Sequence, residues 1–447
     1  MKHRNLVHLF IALCLLFIGL GLVQAQDEPV TLTIWHWGGI DDNNQQDERL
    51  AEIYPELFER IQVENLSVGA NDAEVYQQFR LALASGDTLP DAVTMNYIAL
   101  PEFASAGVLE DLTECVAPYM DDVSQAGQAL MQYDGETVAI PKQAKSKLWF
   151  YRTDMFAEAG IDPTAIATFE DFMAAAEQFH ATFPDAYLIN LGAQPIHYWY
   201  FTMLSHWSES RVATEDGEYL VASDPSFNNL FTWTKALYDA ELTFRTDDFS
   251  ADWNQAFADN HVGSWLSASW GFNWPVNEFS ETPNPEQWGV TLWPEFIRAG
   301  AEAGGGIVVV PRGAPNAELV CEYLATQFLT TDGSVNYFEG TGVIPVTRSG
   351  LDELSARAEN PVQPEGMSDE DWARNQLNFW GTDLIDAMAA SYDVFQIFPY
   401  DPAASTELEI LRQHMESLLA GRHETVQDAL DAAQADMESQ IGNPYEF

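Results

Sequence analysis

The stretch between residues 134 and 156 constrains the fold most, because its pattern predicts two strands separated by a short basic segment. Asp134-Gly135 is a turn signal, and Thr137–Pro141 then predicts a short strand. Lys142–Lys147 interrupts that strand, and Leu148–Arg152 resumes as a second, apolar one. A strand that is interrupted by polar residues and resumed at once indicates a chain passing from one globular unit to another.

Upstream of this crossing, strands and helices alternate. Thr31–Trp37 and Asp91–Asn96 predict strands, while Glu48–Arg60 and Ala73–Ala84 predict helices. This order with short links predicts an α/β unit built on a mostly parallel sheet. Downstream, the run GGGIVVV that begins at Gly304 predicts a second crossing.

A polar segment with acidic or amide residues at alternate positions follows the first strand, at Asp41, Asn43, Gln45 and Asp47. It has a faint likeness to a calcium loop, although the glycine at the sixth position and the closing glutamate are absent. We expect a polar loop that leads into the helix Glu48–Arg60, and calcium binding is the alternative.

The N-terminal segment 1–25 predicts a signal peptide. Lys2 and Arg4 form a positive region, Leu6–Val23 is apolar, and Val23-Gln24-Ala25 resembles a cleavage site. The exported chain would begin at Gln26 in a periplasmic or cell-surface location. An uncleaved single-pass anchor is the alternative, since 18 uncharged residues almost span a bilayer.

The remaining chain is strongly acidic, with 17 basic against 69 acidic residues, a net charge of −52. This charge argues against nucleic acids and anionic membranes as partners. Lysines number only four after residue 25, and three of them are Lys142, Lys145 and Lys147. They indicate either an anionic ligand or ion pairs that stabilise the crossing.

Two cysteines remain after processing, Cys115 and Cys321. An exported chain meets an oxidising compartment, so one long-range disulfide is expected, with buried free thiols as the alternative. No cysteine or histidine spacing matches a zinc site, and HExxH, CxxC and GxSxG are absent. We therefore predict no metal, no cofactor and no catalytic residue.

Several stretches, in order along the chain, resemble the family 1 extracellular solute-binding proteins of ABC importers, the group that includes maltose-binding protein. They are LALASGDTLPDAVTMNY with LPEFASAGVLEDLT, DGETVAIP with LWFYRTDMFAEAGID, TFEDFMAAAEQF, AFADNHVGSWLSASWGF, GGGIVVVPRGAPNAELVCEYLATQFLT and LLAGRHETVQDALDAAQADM. Together these stretches cover most of the chain after residue 25.

The resemblance implies a two-lobed periplasmic-binding-protein type II fold with three hinge crossings. Lobe one would be residues 31–142 plus 306–346, and lobe two residues 144–303 plus 349–447. Each lobe would hold a mostly parallel sheet flanked by helices, and both cysteines would fall in lobe one. The implied protein is a monomer that captures a carbohydrate, most simply an oligosaccharide, by hinge closure and delivers it to an ABC permease.

Ligands of open α/β sheets bind at the carboxyl ends of the strands. Sugars need flat apolar faces and polar partners for their hydroxyls. Strand ends and the resemblance together predict that ligand is bound by His36, Trp37, Asn96, Tyr97, Gln194, His197, Trp199 and Trp270. The two crossings add Lys145 and Gly305 to the predicted ligand-binding residues. Trp270 keeps an aromatic position of the family, although Ala268-Ser269 replaces its Gly-Pro turn. For each tryptophan, core packing is the alternative.

Two other functions remain open. A secreted glycosidase needs two carboxylates about 5–10 Å apart across a cleft, and with this many acids some pair always fits. The same binder could instead take an anionic sugar derivative, because the crossing lysines are so concentrated. No local motif singles out a catalytic pair, so we predict a binding protein and not an enzyme.

Overall fold

The structure is a computed structural model, and it describes residues 28–86, 88–192, 203–279, 282–301 and 304–446. The predicted signal peptide and the site residues Gln194, His197 and Trp199 lie outside the described residues. Within the described ranges, no helix is long and apolar enough to cross a membrane.

The described strands are β1 (Val30–Trp37), β2 (Ile61–Gly69), β3 (Ala92–Asn96), β4 (Gln132–Tyr133), β5 (Glu136–Thr137), β6 (Ile140–Gln143), β7 (Lys147–Arg152), β8 (Ile189–Asn190), β9 (Thr243–Phe244), β10 (Ser264–Ala268), β11 (Trp288–Leu292) and β12 (Gly306–Val309). The described α-helices are α1 (Asp41–Ile53), α2 (Pro55–Phe58), α3 (Asp72–Ser85), α4 (Leu100–Ser105), α5 (Thr113–Val116), α6 (Gln125–Ala129), α7 (Thr153–Ala159), α8 (Phe169–Thr182), α9 (Pro225–Asp239), α10 (Ala251–Ala258), α11 (Asn273–Asn277), α12 (Ala317–Leu329), α13 (Thr331–Thr341), α14 (Arg348–Glu359), α15 (Asp369–Ala373), α16 (Gln376–Trp380), α17 (Thr382–Asp393), α18 (Ala404–Leu419) and α19 (Val426–Gln440). The predicted α/β class is confirmed.

A five-stranded sheet in the order β2-β1-β3-β12-β6, here the first sheet, organises one part of the molecule. β1 pairs in parallel with β2 and β3. Leu32 and Ile34 of β1 are buried, as the period-two alternation of a strand with one covered face requires. β12 runs antiparallel to β3 and β6.

A three-stranded sheet in the order β10-β7-β11, here the second sheet, organises the other part. Both of its pairings are antiparallel, so the expectation of a mostly parallel sheet is wrong here. It is also wrong for β12, whose first residue, Gly306, lies opposite Asn96, the last residue of β3. A strand that re-enters a sheet at the edge where its neighbour ends can only run in the opposite direction.

The chain passes from the first sheet to the second between Gln143 and Lys147, close to the position that the sequence indicates. Lys145 in this passage has a φ of 49°. The chain returns to the first sheet through Gly305, whose φ is 105°. A Cβ at Gly305 would lie 2.8 Å from the Leu130 side chain, so glycine suits both the backbone and the space.

The segment expected to be a polar loop is the start of α1, which begins at Asp41 and ends at Ile53, before Pro55 opens α2. The prediction of a loop and of a single helix over Glu48–Arg60 is therefore wrong. Two acidic residues in the first turn suit the positive end of the helix dipole. Alternate positions on a helix point to different sides, so this segment does not form a calcium loop.

The two cysteines form a disulfide between α5 and α12. Cys115 and Cys321 are 206 residues apart in sequence, and their Cα atoms are 6.5 Å apart. The sequence alone leaves open whether the two thiols are bonded or free, and in the structure they form the disulfide. It ties the helices that follow β12 to the first 120 residues of the chain.

Candidate functional site

A cleft of about 1120 Å³ lies between the parts of the molecule that carry the two sheets. The part with the first sheet contributes the ends of β1 and β3, the start of α3 and the crossing residue Lys145. The other part contributes three aromatic residues and one face of α18. The lining residues are Trp37, Ala70, Asn71, Asp72, Ala73, Tyr76, Arg80, Asn96, Ile98, Lys145, Phe249, Trp270, Trp274, Ser405, Thr406, Glu409, Ile410, Gln413 and Gln440.

One wall of the cleft is aromatic. The ring centroid of Trp270 lies 5.3 Å from that of Trp274, 5.5 Å from that of Trp265 and 5.9 Å from that of Phe249. Trp265 is buried beneath them, while Trp270 and Trp274 are half-buried. Edge-to-face packing of this kind fixes the rings and leaves part of each indole facing the cleft.

Phe249 is the most exposed member of this wall, with 48% of its surface accessible. Its φ is 65°, a left-handed conformation that is rare for residues other than glycine. The preceding Asp248 accepts a hydrogen bond from the Asn190 side-chain amide at 2.6 Å, and burial raises the pKa of Asp248 to about 7. The loop is thus anchored just before the residue that it presents to the cleft.

The facing wall is polar and is held by hydrogen bonds. Asn96, at the end of β3, accepts a hydrogen bond from the Lys145 ammonium at 2.9 Å. Its Nδ2 donates to Asp72 at 2.8 Å, and the Tyr76 hydroxyl also donates to Asp72, at 3.2 Å. An ammonium, an amide and a carboxylate are therefore linked in a row, and such groups can donate to and accept from ligand hydroxyls.

Only one lysine of the crossing lines the cleft. The Lys142 ammonium lies 5.4 Å from the centroid of the Tyr337 ring, and desolvation lowers the pKa of Lys142 to about 8. The Lys147 ammonium donates to the Ile297 carbonyl at 2.9 Å, and burial lowers its pKa well below the usual range. Lys142 and Lys147 thus lie outside the cleft, against a ring and a main-chain carbonyl, and among the described residues they do not form the ion pairs that the sequence leaves open. Lys145 faces the site.

Three of the predicted site residues that the structure describes do not line the cleft. His36 is buried, where its ring nitrogens contact Asn65 and Thr94, and burial lowers its pKa to about 3. The Tyr97 hydroxyl donates to a main-chain carbonyl, and the Tyr97 amide donates to the Gly305 carbonyl. By contrast, the cleft brings together the predicted residues Trp37, Asn96, Lys145 and Trp270.

The residues that the sequence analysis missed include Phe249, Trp274, the start of α3 with Asp72 and Tyr76, and the face of α18 with Glu409. Trp274 could have been found, because it lies four residues after Trp270 in a helical stretch. Among the described residues, no group of three or more histidine, cysteine or acidic side chains could hold a metal ion.

Comparison with known proteins places this geometry in context. A sequence profile described as bacterial extracellular solute-binding protein matches residues 52–362. An arabinooligosaccharide-binding protein of Halalkalibacterium halodurans is 30% identical over 107 residues, which is 24% of this chain and 24% of that protein. The match thus spans about a quarter of that relative's length.

Solved structures resemble the whole described fold. The galacto-N-biose/lacto-N-biose I-binding protein of a Bifidobacterium longum ABC transporter superposes with a TM-score of 0.73 at 18% identity, covering 93% of this chain and 98% of that one. The sugar-binding protein MalE of Xanthomonas citri gives 0.72 at 18% identity over 93% and 98%. A binding protein of B. animalis subsp. lactis in complex with β-1,6-galactobiose gives 0.69 at 21% identity over 93% and 99%.

Proposed function

Because the chain belongs to the bacterial extracellular solute-binding protein family, we propose that it captures an oligosaccharide in the cleft and delivers it to an ABC permease. The observation that carries this proposal is the pairing of an aromatic wall with a polar wall across one cleft. Indole and phenyl faces cover the C–H surfaces of sugar rings, while amide, carboxylate and ammonium groups bind their hydroxyls. The relatives and structural neighbours that bind oligosaccharides support the same substrate class.

The size of the cleft favours a ligand of several sugar units. Ligand sites typically have volumes of about 300–1,000 Å³ and cover most of the ligand surface. A volume of about 1120 Å³ would leave a monosaccharide largely uncovered. An oligosaccharide contacts both walls at once, which a closing cleft requires.

Closure of two lobes about the passages between the sheets would hold the ligand. The lobes that we propose are residues 31–142 plus 306–346 and residues 144–303 plus 349–447, with the Cys115–Cys321 disulfide inside the first. A ligand stabilises the closed form only by its extra contacts in that form. Trp270 on one side and the Lys145–Asn96–Asp72 row on the other would supply such contacts.

A neutral ligand fits this cleft better than an anionic one. Lys145 already donates to Asn96, and the carboxylates of Asp72 and Glu409 line the same space. A uronate or sugar phosphate would meet these two like charges, while the two cations of the lining are already engaged, Arg80 in an ion pair with Glu102 and Lys145 with Asn96. Lys142 and Lys147 do not line the cleft, so the concentration of lysines at the crossing does not argue for an anionic ligand.

We further propose that the protein catalyses no reaction on its ligand. Asp72 accepts hydrogen bonds from Asn96 and Tyr76, and Glu409 is paired with Arg412 at 2.5 Å. A glycosidase needs one carboxyl group placed as an acid and another as a base or nucleophile. These cleft carboxylates are engaged with neighbours instead. Segment 1–25 would act as the export signal of a monomeric protein.

The test is a thermal-shift and calorimetric screen of purified protein against neutral and acidic saccharides of one to six units. A ligand that binds only the native state raises the melting temperature. We expect stabilisation by neutral oligosaccharides, and chromatography should recover the ligand uncut after prolonged incubation. Cleavage products would identify a hydrolase, and stabilisation by acidic sugars alone would contradict the neutral assignment.

A further inference from the structure

A second crevice, of about 350 Å³, shares Trp274 with the cleft. Part of its lining comes from α1 and α13, on the side of the first sheet, and part from α11 and α16. Two aromatic residues, Trp274 and Phe338, line the crevice. Its other lining residues are polar or glycine: Asp42, Asn273, Asn277, Glu278, Glu339, Gly340, Thr341, Gly342 and Gln376. Its volume is at the low end of the range for ligand sites, so it suits one part of a larger ligand.

One helical face runs from the cleft into this crevice. The 3₁₀ turn Ser269–Phe272 continues directly into α11. Residues three and four apart are neighbours on a helix surface, so Trp270, Trp274 and the pair Asn277 and Glu278 follow one another along it. The order is two indoles and then polar side chains, which gives a ligand chain a continuous surface from one space to the other.

The crevice also contains a buried acceptor without a partner. The Oε1 atom of Gln376 is buried and has no hydrogen-bond partner among the described residues. The same side chain is fixed through its Nε2, which donates to Asn273 Oδ1 at 2.5 Å. A buried acceptor left unpaired is unfavourable. The Gln376 side chain also belongs to the polar lining of the crevice, where such a group can contact a ligand hydroxyl.

The charges of the crevice indicate the kind of group that fits. Asp42 and Glu278 line it, as does Glu339, which forms an ion pair with Arg357. Carboxylates accept hydrogen bonds from hydroxyl groups and repel anionic ones. The fitting group is therefore a hydroxyl-rich unit that is not anionic and has a flat face for Trp274.

We propose that this crevice is a saccharide subsite, which holds an end unit or a branch of an oligosaccharide whose other units lie in the cleft. The proposal rests on the function proposed above and adds to it a minimum chain length. Chains too short to pass Trp274 bind through the cleft alone. Chains that pass it gain the crevice contacts, so affinity rises in a step at one length.

The experiment measures dissociation constants by calorimetry for ladders of two to six units built from arabinose, glucose and galactose. We expect the native protein to show a step of about tenfold or more at one length of the ladder that it binds. Asn277→Trp fills the crevice from an exposed position outside the cleft. It should abolish the step and leave the affinity for shorter chains unchanged.

The control is Asn228→Trp on α9, an exposed asparagine that lines neither space, and it should keep the step. Gln376→Met, which replaces a polar side chain of the crevice lining by an apolar one, should reduce the step about threefold and serves if Asn277→Trp fails to fold. If short chains bind but the step is absent, or survives both crevice variants, the subsite is refuted and the proposed function stands. If no ladder binds at any length, both proposals fall.

Discussion

Replacement of Trp270 by alanine tests whether the aromatic wall binds ligand. The expected losses of folding stability and of ligand affinity can be worked out separately. The indole packs edge-to-face against Trp265, Trp274 and, at a more tilted angle, Phe249, with ring centroids 5.3–5.9 Å apart. Each such pair contributes about 0.5–1.5 kcal/mol. Complete burial would put the loss for Trp→Ala at about 3–5 kcal/mol, and Trp270 is only half-buried. We therefore expect Trp270→Ala to lower the free energy of unfolding by about 2–3 kcal/mol.

The binding loss should be of similar size but separable from the loss of stability. Aromatic residues at the centre of a binding site typically contribute about 2 kcal/mol or more, which is roughly thirtyfold in the dissociation constant. Trp270→Phe keeps a ring in the wall and should retain most of the stability and part of the affinity. Trp253→Phe is the matched control, because Trp253 packs under the same wall and does not line the cleft.

Urea unfolding without ligand gives the stability, and calorimetry with the best saccharide from the screen gives the affinity. Trp253→Phe should lower stability with an unchanged dissociation constant. If Trp270→Ala loses the stated stability yet binds as tightly as the native protein, the aromatic wall is only a packing element. The assignment of the cleft would then be wrong.

Three further predictions concern charge, the disulfide and pH. Lys145→Met should weaken the binding of neutral oligosaccharides about tenfold, because a hydrogen bond to a charged group contributes about 1.5–3 kcal/mol. An unchanged affinity in calorimetry would show that Lys145 does not bind the ligand. The double variant Cys115→Ser/Cys321→Ser should lose about 2–5 kcal/mol in urea unfolding while its ligand affinity stays the same, and a shift in affinity would show that the bond also shapes the cleft. Burial raises the pKa of Asp401 to about 6. Burial, together with the charge of Asp401, holds the pKa of Glu407 well above its usual range. The folded state therefore keeps protons on these two carboxyl groups that the unfolded chain loses above about pH 4. Folding therefore loses stability as the pH rises from about 4 through 6. Glu407→Gln, which cannot become charged, should grow more stable relative to the native chain over that range in urea unfolding, and parallel pH curves would contradict this.

The sequence predicts β1 and β3 of the first sheet and their ends well, because these depend on local periodicity. The predicted strand Thr137–Pro141 is instead Ile140–Gln143 in the structure. β1 and β3 lie within one residue of their predicted bounds, and Trp37 and Asn96 at their ends line the cleft. His36 fails by the same rule, because neighbouring residues of a strand point to opposite faces. With Trp37 facing the cleft, His36 lies in the buried network with Asn65 and Thr94.

The rest of the site depends on long-range packing, for which the sequence carries no local signal. Phe249 lies in a loop without a strand or a motif, and its exposure follows from one left-handed backbone angle. The face of α18 lines the cleft only because that helix, about 300 residues after β3 in sequence, packs back against the site. The direction of β12 is predicted wrongly for the same reason. It is set by where the chain re-enters the sheet and not by the amino acids of the strand.

Part of the backbone strain of the described chain lies at the cleft. Five described residues other than glycine have a positive φ, and two of them, Lys145 and Phe249, line the cleft. Each such conformation costs about 1–3 kcal/mol unless glycine adopts it, so glycine at either position would relieve the backbone. Glycine would also remove the only crossing lysine in the cleft and the most exposed ring of its aromatic wall. The binding roles that we propose for the two side chains would account for the strain at these two positions.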